Sequence, residues 1–236
     1  DLIGRIIQCL TATNIPDGEL KSFILNDKVL VYSDWEVRKF ADKLKDIVCL
    51  LTGCTREQLE DQEFKNSKLP IEWEDIEHGD VPHGDIITYR DLLQYIGTDL
   101  FRSNLHQNVW VNSLMNEYKT CEHKCLKAYT NYCGDNKYDC IKVPNWIITD
   151  MRFPNEMKAV KDRGGITIRV KRPKQISTGN KIVDNVLNNT KNFGIVEHES
   201  ETALDNTTFD WEIDNYGTIE ELIVKVRQML ITEKII

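Results

Sequence analysis

Residues 146–156 of the 236-residue chain, WIITDMRFPNE, decide the fold. Apolar residues lead to a threonine and then to Asp150 and Arg152, while Pro154 suits the first turn of a helix. A short apolar strand that runs into a helix is typical of α/β proteins with a parallel sheet. Ligands of such sheets bind beyond the carboxyl ends of the strands. We therefore expect Asp150 and Arg152 to face a ligand crevice.

The same alternation of helices and strands extends over the rest of the chain. Apolar residues at helical spacing, with capping residues such as Thr88 and Thr218, predict helices. The predicted helices cover residues 1–13, 41–53, 88–97, 108–118, 154–163 and 219–230. Strands are predicted at 36–40, 146–149, 166–171 and 209–215, a surface loop at 62–87 and a low-complexity segment at 174–196. This order predicts a parallel sheet that is covered by helices on both faces.

The composition restricts the class of protein. With 41% hydrophobic and 29% charged residues, the chain can bury one sizeable core, and we expect a single domain. A net charge of −8 argues against general binding to nucleic acid or to anionic membranes. No apolar run reaches the roughly 18 residues of a membrane span, and no signal peptide is visible. The seven cysteines are an odd number, which favours a reducing cytosol over a disulfide framework.

Asp150 and Arg152 have the chemistry of a phosphate site. A carboxylate can hold a hydrated magnesium ion, and a guanidinium can bind two phosphate oxygens at once. The alternative is structural, with the two residues forming an ion pair that braces the turn and the other cations being solvated. Those other cations lie near the ends of predicted elements, where they would add a local positive field to an acidic protein: Arg90, Arg102, Arg169, Lys171 and Arg172.

Residues 119–142 form a polar, cysteine-rich insertion. Five of its side chains are of the types that bind zinc: Cys121, His123, Cys125, Cys133 and Cys140. Their spacing lacks the paired C-x-x-C motifs of structural zinc sites. We therefore predict reduced cysteines and no metal site in this segment.

Four segments of the chain resemble one protein family. In chain order they are FADKLKDIVCLLTGCTREQLED (40–61), TYRDLLQYIGTDLFRSNLHQNVWV (88–111), WIITDMRFPNEMKAVKDRGGITIRVKRP (146–173) and HESETALDNTTFDWEIDNYGTIEELI (198–223). They resemble the deoxynucleoside monophosphate kinases of large DNA phages and viruses, over most of residues 36–230. The resemblance implies the P-loop kinase fold, a three-layer α/β/α arrangement around a parallel sheet. It also implies transfer of the γ-phosphoryl group of ATP to a deoxynucleoside monophosphate, with Mg²⁺, in the supply of viral DNA precursors.

The family opens with a strand, a glycine-rich loop that ends in a lysine, and a helix. Asp1 and Leu2 match the residues just after that lysine, so we expect a P-loop upstream of residue 1 and assign these two residues to ATP binding. The resemblance implies one nucleotide-kinase domain over residues 1–236. That domain would carry the insertion at 119–142 and a lid-like segment at 173–201.

The resemblance also assigns roles to single residues. Asp150, Arg152, Arg169 and Arg172 would act in phosphoryl transfer, a reaction that needs positioning and charge neutralisation more than covalent chemistry. A closing lid would exclude water. The acceptor nucleotide would be bound by Phe40, Asp42, Lys45, Arg90, Arg102 and Trp110, with His198 and Glu201 at the far side of the lid.

Two other functions fit the same residues. One is a catalytically inactive, nucleotide-binding relative, and the other is a phosphotransferase like phosphomevalonate kinase, which shares the strand-end D-x-R. The block TYRDLLQYIGTD at 88–99 favours the nucleotide kinase. We expect small-molecule nucleotides as partners, no nucleic acid and no membrane, and a cytoplasmic location. A homodimer is compatible with the sequence, and the accepted base stays open.

Overall fold

The computed structural model describes residues 2–16, 18–26, 31–73, 88–119, 121–123, 140–142, 144–172 and 202–236, with 121–123 and 140–142 described by their backbone alone. Asp1, His198, Glu201, the low-complexity and lid-like segments and most of the cysteine-rich insertion lie outside these residues. The chain divides into two compact units. We call Val37–Asp150 the central unit, and Asp1–Glu36 with Met151–Ile236 the terminal unit.

Nine α-helices and six strands are named among the described residues. The helices are α1 (Leu2–Leu10), α2 (Leu20–Leu25), α3 (Asp42–Thr52), α4 (Arg56–Glu60), α5 (Gln62–Lys65), α6 (Tyr89–Gln94), α7 (Val109–Met115), α8 (Pro154–Lys161) and α9 (Ile219–Thr232). The strands are β1 (Trp35–Arg38), β2 (Cys121–His123), β3 (Cys140–Lys142), β4 (Asn145–Ile148), β5 (Ile168–Lys171) and β6 (Trp211–Asp214). A 3₁₀ turn covers Ile71–Trp73, and a π-helix covers Tyr95–Ser103.

The strands form three two-stranded sheets among the described residues. β1 is next to β4, β2 pairs with β3 in antiparallel fashion, and β5 pairs with β6 in parallel. The predicted α/β class is therefore confirmed as a mixed α/β fold with small sheets. None of the helices in the described part of the chain is both long and apolar enough to cross a bilayer.

Several helix ends follow the signals in the sequence. Gly53 ends α3 with a φ of +74°, a left-handed conformation that favours glycine because a Cβ would be strained there. Thr88 and Asp91 form a complete capping box at the start of α6. Thr218 accepts a hydrogen bond from the Glu221 N–H at the start of α9. The predictions of these helices are confirmed.

Other local predictions were wrong, or right with shifted limits. The predicted loop at 62–87 begins with a helix, because the Asp61 carboxylate accepts the Phe64 N–H at 2.7 Å and caps α5. The rest of that prediction, after residue 73, lies outside the described residues until Thr88. β1 ends at Arg38, earlier than predicted. β4, which was predicted as an apolar strand at 146–149, covers Asn145–Ile148 and is half-buried along its length.

An apolar core lies among the described residues of the central unit. Its fully or nearly buried members come from α3, α4, α6, the π-helix and the segment after α5: Val48, Leu59, Leu69, Tyr89, Leu92 and Ile96. Gly97 lets the π-helix come close to α3, since a Cβ at this position would lie 2.8 Å from Leu44 Cδ2. This packing fixes α3 on the surface of the unit with one face towards the core.

In the terminal unit, α1 packs against α2 and α9. The buried face of α1 includes Ile3, Ile6 and Ile7, at the helical spacing that the sequence showed. The parallel pair of β5 and β6 runs from Ile168 opposite Trp211 to Lys171 opposite Asp214. α9 contributes a buried stripe at every third or fourth residue: Leu222, Ile223, Val226, Met229 and Leu230.

Candidate functional site

Asp150 lies at the end of β4 and holds the turn that leads into α3. Its Oδ1 accepts the Phe40 N–H at 2.8 Å, and its Oδ2 accepts the Ala41 N–H at 2.9 Å. Beside them, the Thr149 N–H donates to the Arg38 carbonyl at 3.3 Å. A charged acceptor strengthens hydrogen bonds from backbone amides, so this carboxylate fixes the position at which α3 begins. Its predicted part in phosphate chemistry stays a prediction.

A cavity of about 350 Å³ opens in the central unit beside this turn. We call it the cation cavity, because four of its lining residues are basic in a chain whose net charge is −8. The walls come from the end of β1, from α3, from the start of α4 and from the end of α7. The lining residues are Arg38, Lys39, Phe40, Asp42, Lys43, Asp46, Arg56, Leu114 and Glu117.

Carboxylates keep the cations of the cavity in place. The Arg56 guanidinium lies 2.8 Å from Asp42 Oδ1 and 3.2 Å from Asp46 Oδ1, and it donates to the Asp42 carbonyl at 2.7 Å. Lys43 lies 2.9 Å from Glu117, which also lies 3.6 Å from Arg38. The hydrogen bond to Glu117 raises the pKa of Lys43, so the ammonium stays charged at neutral pH. Four cations and three carboxylates therefore line this open space, which gives its walls a net charge of +1 (4 − 3) in an acidic chain.

Aromatic contacts support the wall formed by Arg38. Its guanidinium stacks over the Trp146 ring at 5.2 Å, and the Tyr118 ring meets Trp146 edge-on at a centroid distance of 4.9 Å. Trp146 is the second residue of β4, so the strand that delivers Asp150 also orients Arg38. Within the described residues, the buried Trp146 indole N–H finds no hydrogen-bond acceptor.

The residues predicted to bind an acceptor nucleotide separate into two groups. Phe40 and Asp42 line the cation cavity, and Phe40 is buried. Lys45 does not line the cavity, because its ammonium forms an ion pair with Glu60, with 2.5 Å between Lys45 Nζ and Glu60 Oε1. Arg90 also lies outside the lining, where it donates to Asn66 Oδ1 at 2.7 Å and to Gln62 Oε1 at 2.8 Å.

Trp110 and Arg102 belong to the packing of the π-helix. The Trp110 indole N–H donates to the Gly97 carbonyl at 2.8 Å, and its ring lies 5.5 Å from Phe101. Arg102 lies within the π-helix itself. Neither residue lines the cation cavity, although Leu114, one turn after Trp110 in α7, does.

The predicted catalytic arginines lie in the terminal unit. Arg152 is exposed, and its backbone N–H donates to Glu156 Oε2 at 2.8 Å. Arg169 donates to the Asp205 carbonyl at 3.2 Å and also to the Leu204 carbonyl, while its guanidinium stacks on Phe209 at 4.4 Å. Arg172 is exposed directly after β5. Arg169 is thus engaged in local packing, and the catalytic roles of all three stay predictions.

Sequence reasoning missed most of the charged walls. Lys43 lies between Asp42 and Lys45, inside the stretch that the resemblance assigned to the acceptor side, whereas Lys39 directly precedes this stretch. Arg56 reaches Asp42 only because Gly53 turns the chain back after α3. Glu117 follows α7, and nothing in its local sequence marks it as a partner of Lys43.

The cysteine-rich insertion is described only at its two ends. β2 and β3 pair so that Cys121 is opposite Lys142 and His123 is opposite Cys140. Cys125 and Cys133 lie outside the described residues. The residues whose side chains are described contain no group of three acidic, histidine or cysteine side chains that could hold a metal ion. The prediction of reduced cysteines therefore stays untested.

Comparison with known proteins gives one family and one relative. A family model described as deoxynucleotide monophosphate kinase matches residues 44–226, which is more than half of the chain. A protein of Acanthamoeba polyphaga mimivirus, which carries the provisional name of a deoxynucleotide monophosphate kinase, is 29% identical over 116 residues. This alignment covers 46% of the chain and 52% of the viral protein, so the chain spans about half the length of the curated relative it matches.

Proposed function

Since the chain belongs to the deoxynucleotide monophosphate kinase family, we propose that it transfers the γ-phosphoryl group of ATP to a deoxynucleoside monophosphate. The products would be the deoxynucleoside diphosphate and ADP. The observation that carries the proposal is the cation cavity, whose four basic residues and volume of about 350 Å³ suit a phosphate monoester.

The cavity offers the charge that an acceptor phosphate needs. A nucleotide monophosphate carries up to two negative charges near neutral pH, and its oxygen must approach a triphosphate that is also negative. Lys39, Lys43 and Arg56 would reduce this repulsion, while their carboxylate partners keep them in position before the nucleotide arrives. Pre-positioned cations of this kind lower the cost of ordering side chains on binding.

Asp150 would act as a positioning residue for this cavity. Its two hydrogen bonds to Phe40 and Ala41 set the turn that carries Lys39 and the first residues of α3. Phosphoryl transfer depends on alignment within fractions of an ångström, so a shifted turn would lower the rate. Arg152, Arg169 and Arg172 are proposed to neutralise charge on the transferred phosphoryl group, as the family resemblance implies.

The ATP side of the reaction rests on the family. We propose a P-loop directly before Asp1 and a three-layer P-loop kinase arrangement, in which α1 would point its N-terminus at the phosphates. A buried apolar face along Leu2–Leu10 supports a helix at this place. His198 and Glu201 would belong to the lid.

Magnesium is proposed as part of the ATP substrate. In kinase sites Mg²⁺ is held largely by substrate phosphates, with one or two carboxylates and water completing its coordination. The ion would therefore enter on the ATP phosphates.

The test is a coupled assay of the complete protein, with any residues that precede Asp1, using ATP, Mg²⁺ and a panel of acceptors. A deoxynucleoside monophosphate should be converted to its diphosphate, and the ribonucleotide should be a poorer substrate. Nucleotide binding without turnover would identify an inactive relative and overturn the proposal. Preferred turnover of phosphomevalonate would instead identify the other class of phosphotransferase.

A further inference from the structure

Two cysteines meet at the end of α3. The thiol sulfurs of Cys49 and Cys54 lie 4.0 Å apart, and both residues are partly exposed. The chain folds back here because the Gly53 N–H donates to the Cys49 carbonyl at 2.9 Å, with Gly53 in the left-handed conformation. By contrast, Cys9 is buried in the terminal unit.

We propose that Cys49 and Cys54 form a reversible disulfide, which makes this turn a site of oxidative modification. A disulfide bond is about 2.05 Å long, so the two sulfurs must approach each other by about 2 Å. The turn allows this movement, since Cys54 follows a glycine and lies between the two helices, before the N-cap Thr55 of α4. The pair is therefore close enough to be joined by local rearrangement of one turn.

The reaction is thiol–disulfide exchange with a low-molecular-weight disulfide such as oxidised glutathione. One cysteine, as its thiolate, attacks a sulfur of the small disulfide, forms a mixed disulfide and releases one small thiolate. The second cysteine then attacks the protein sulfur of the mixed disulfide and releases the second small thiolate. The two cysteine thiols are oxidised, and the small disulfide is reduced to two thiols. The two protons that the cysteines lose end on these two small thiols.

The environment slows the reaction without preventing it. Burial, followed by the hydrogen bond with Cys54, raises the pKa of Cys49, which lowers the fraction of its reactive thiolate. Thr52 contacts the Cys54 sulfur through its hydroxyl at 3.2 Å, while the same hydroxyl lies 2.8 Å from the Val48 carbonyl. We expect oxidation to be faster at alkaline pH, where more thiolate is present.

The modification would reach the cation cavity. α4 begins at Arg56, two residues after Cys54, and Arg56 holds Asp42 and Asp46 on the cavity wall. A disulfide at the turn would move the first residue of α4 relative to α3. This consequence rests on the proposed function, and it predicts a change in the KM for the acceptor nucleotide of about fivefold, the lower range of coupling between sites.

The experiment is peptide mapping by mass spectrometry after equilibration of the complete protein in glutathione buffers of graded redox potential. The expected result is a Cys49–Cys54 crosslinked peptide that lacks two hydrogens, forms with a defined midpoint and disappears with dithiothreitol. Cys54→Ser and Cys49→Ala should each abolish this peptide, whereas Cys9→Ser should leave it unchanged.

Two results would overturn the inference. One is recovery of both cysteines as free thiols, trapped by alkylation, at potentials where other exposed thiols are oxidised. The other is a stable mixed disulfide with glutathione at Cys54 in the wild type, without closure to Cys49. Because the readout is mass, it does not depend on turnover. A crosslink with no effect on the acceptor KM would keep the modification site and remove only its link to the cavity.

Discussion

Two lysines, one in each unit, form nearly the same ion pair with a glutamate. Lys43 lies 2.9 Å from Glu117 in the central unit, and Lys171 lies 2.5 Å from Glu212 in the terminal unit. In each case the hydrogen bond to the glutamate raises the pKa of the lysine. Both side chains are about half exposed, so their local electrostatics are alike.

The surroundings of the two pairs differ. Lys43 shares the wall of a cavity with Arg38, Lys39 and Arg56. Lys171 lies on the parallel β5–β6 pair, directly opposite Asp214. The comparison teaches that an ion pair and a shifted pKa do not identify a functional cation. What distinguishes Lys43 is the concave space that its ammonium faces, together with other cations.

Two aspartates give a second comparison of the same kind. Asp150 accepts one backbone N–H on each carboxylate oxygen. Asp210 in the terminal unit accepts the Thr167 N–H at 2.8 Å and the Thr167 hydroxyl at 2.6 Å on a single oxygen, and Lys161 lies 3.2 Å from the other. Both carboxylates anchor a turn, but only the turn at Asp150 leads into the cation cavity.

The largest effect is expected for Asp150→Asn. The amide group would present an N–H to one of the two backbone donors, leaving that donor unpaired and costing about 1–3 kcal/mol of unfolding free energy. The displaced turn should lower kcat/KM for the acceptor about a hundredfold. Steady-state kinetics and thermal unfolding of the same variant measure both quantities.

Asp210→Asn is the matched control for that variant. Its carbonyl oxygen can keep both hydrogen bonds from Thr167, so kcat/KM should stay within about twofold of the wild type. An equal loss of activity in both variants would contradict the distinction between the two turns. Full activity of Asp150→Asn below its melting temperature would show that Asp150 only stabilises the fold.

Lys43→Gln should have the next largest effect. Removal of one charged contact to the acceptor phosphate costs about 1.5 kcal/mol, which corresponds to about a tenfold lower kcat/KM through a higher acceptor KM. Lys171→Gln removes an equivalent pair from the other unit and should change kcat/KM by no more than about twofold. Both variants should lose less than about 1 kcal/mol of stability, because exposed pairs contribute little. Identical kinetics of the two variants would argue against a phosphate site in the cation cavity.

The smallest effect concerns pH. The hydrogen bond from the Thr167 hydroxyl lowers the pKa of Asp210 below its usual value of 3.8 and outweighs the opposing effect of burial. Lys161 lowers this pKa further. A carboxyl group whose pKa is lower in the folded than in the unfolded state stabilises the fold at pH values above its unfolded-state pKa. This contribution is lost as the pH falls through the folded-state pKa. The melting temperature of the wild type should therefore drop more steeply below pH 4 than that of Asp210→Asn. Parallel curves for the two proteins would show that Asp210 does not contribute.

The sequence predicted those parts of the fold that depend on local signals. Gly53, the Thr88 capping box and the apolar stripe of α9 each act within one or two helical turns, so the pattern alone locates them. The family was also recognised correctly, since the match over residues 44–226 covers three of the four quoted segments fully and the segment 40–61 except for its first four residues. The helix at Gln62–Lys65 was missed because a single capping aspartate outweighs a polar, aperiodic composition.

The candidate site could be predicted only in part. Asp150 and Phe40 meet beside the cation cavity, but the hydrogen bond that joins them spans 110 residues of sequence and cannot be derived from either segment. Arg90 and Trp110 were selected by resemblance, whereas the structure gives them neutral partners outside the cavity lining. Arg56 and Glu117 enter the site through tertiary packing of α4 and α7, which no local pattern encodes.

The most direct test of the cation cavity is hydrogen–deuterium exchange of the complete protein with and without a saturating deoxynucleoside monophosphate. Ligand binding slows hydrogen exchange of backbone amides where it suppresses the local unfolding that exposes them to solvent. We predict protection of peptides that cover residues 38–46 and 56–60, reduced in Lys43→Gln and unchanged in Lys171→Gln. Peptides that cover β5 and β6 should change much less. Protection confined to β5 and β6, with residues 38–60 unchanged, would contradict the assignment of the acceptor phosphate to the cation cavity.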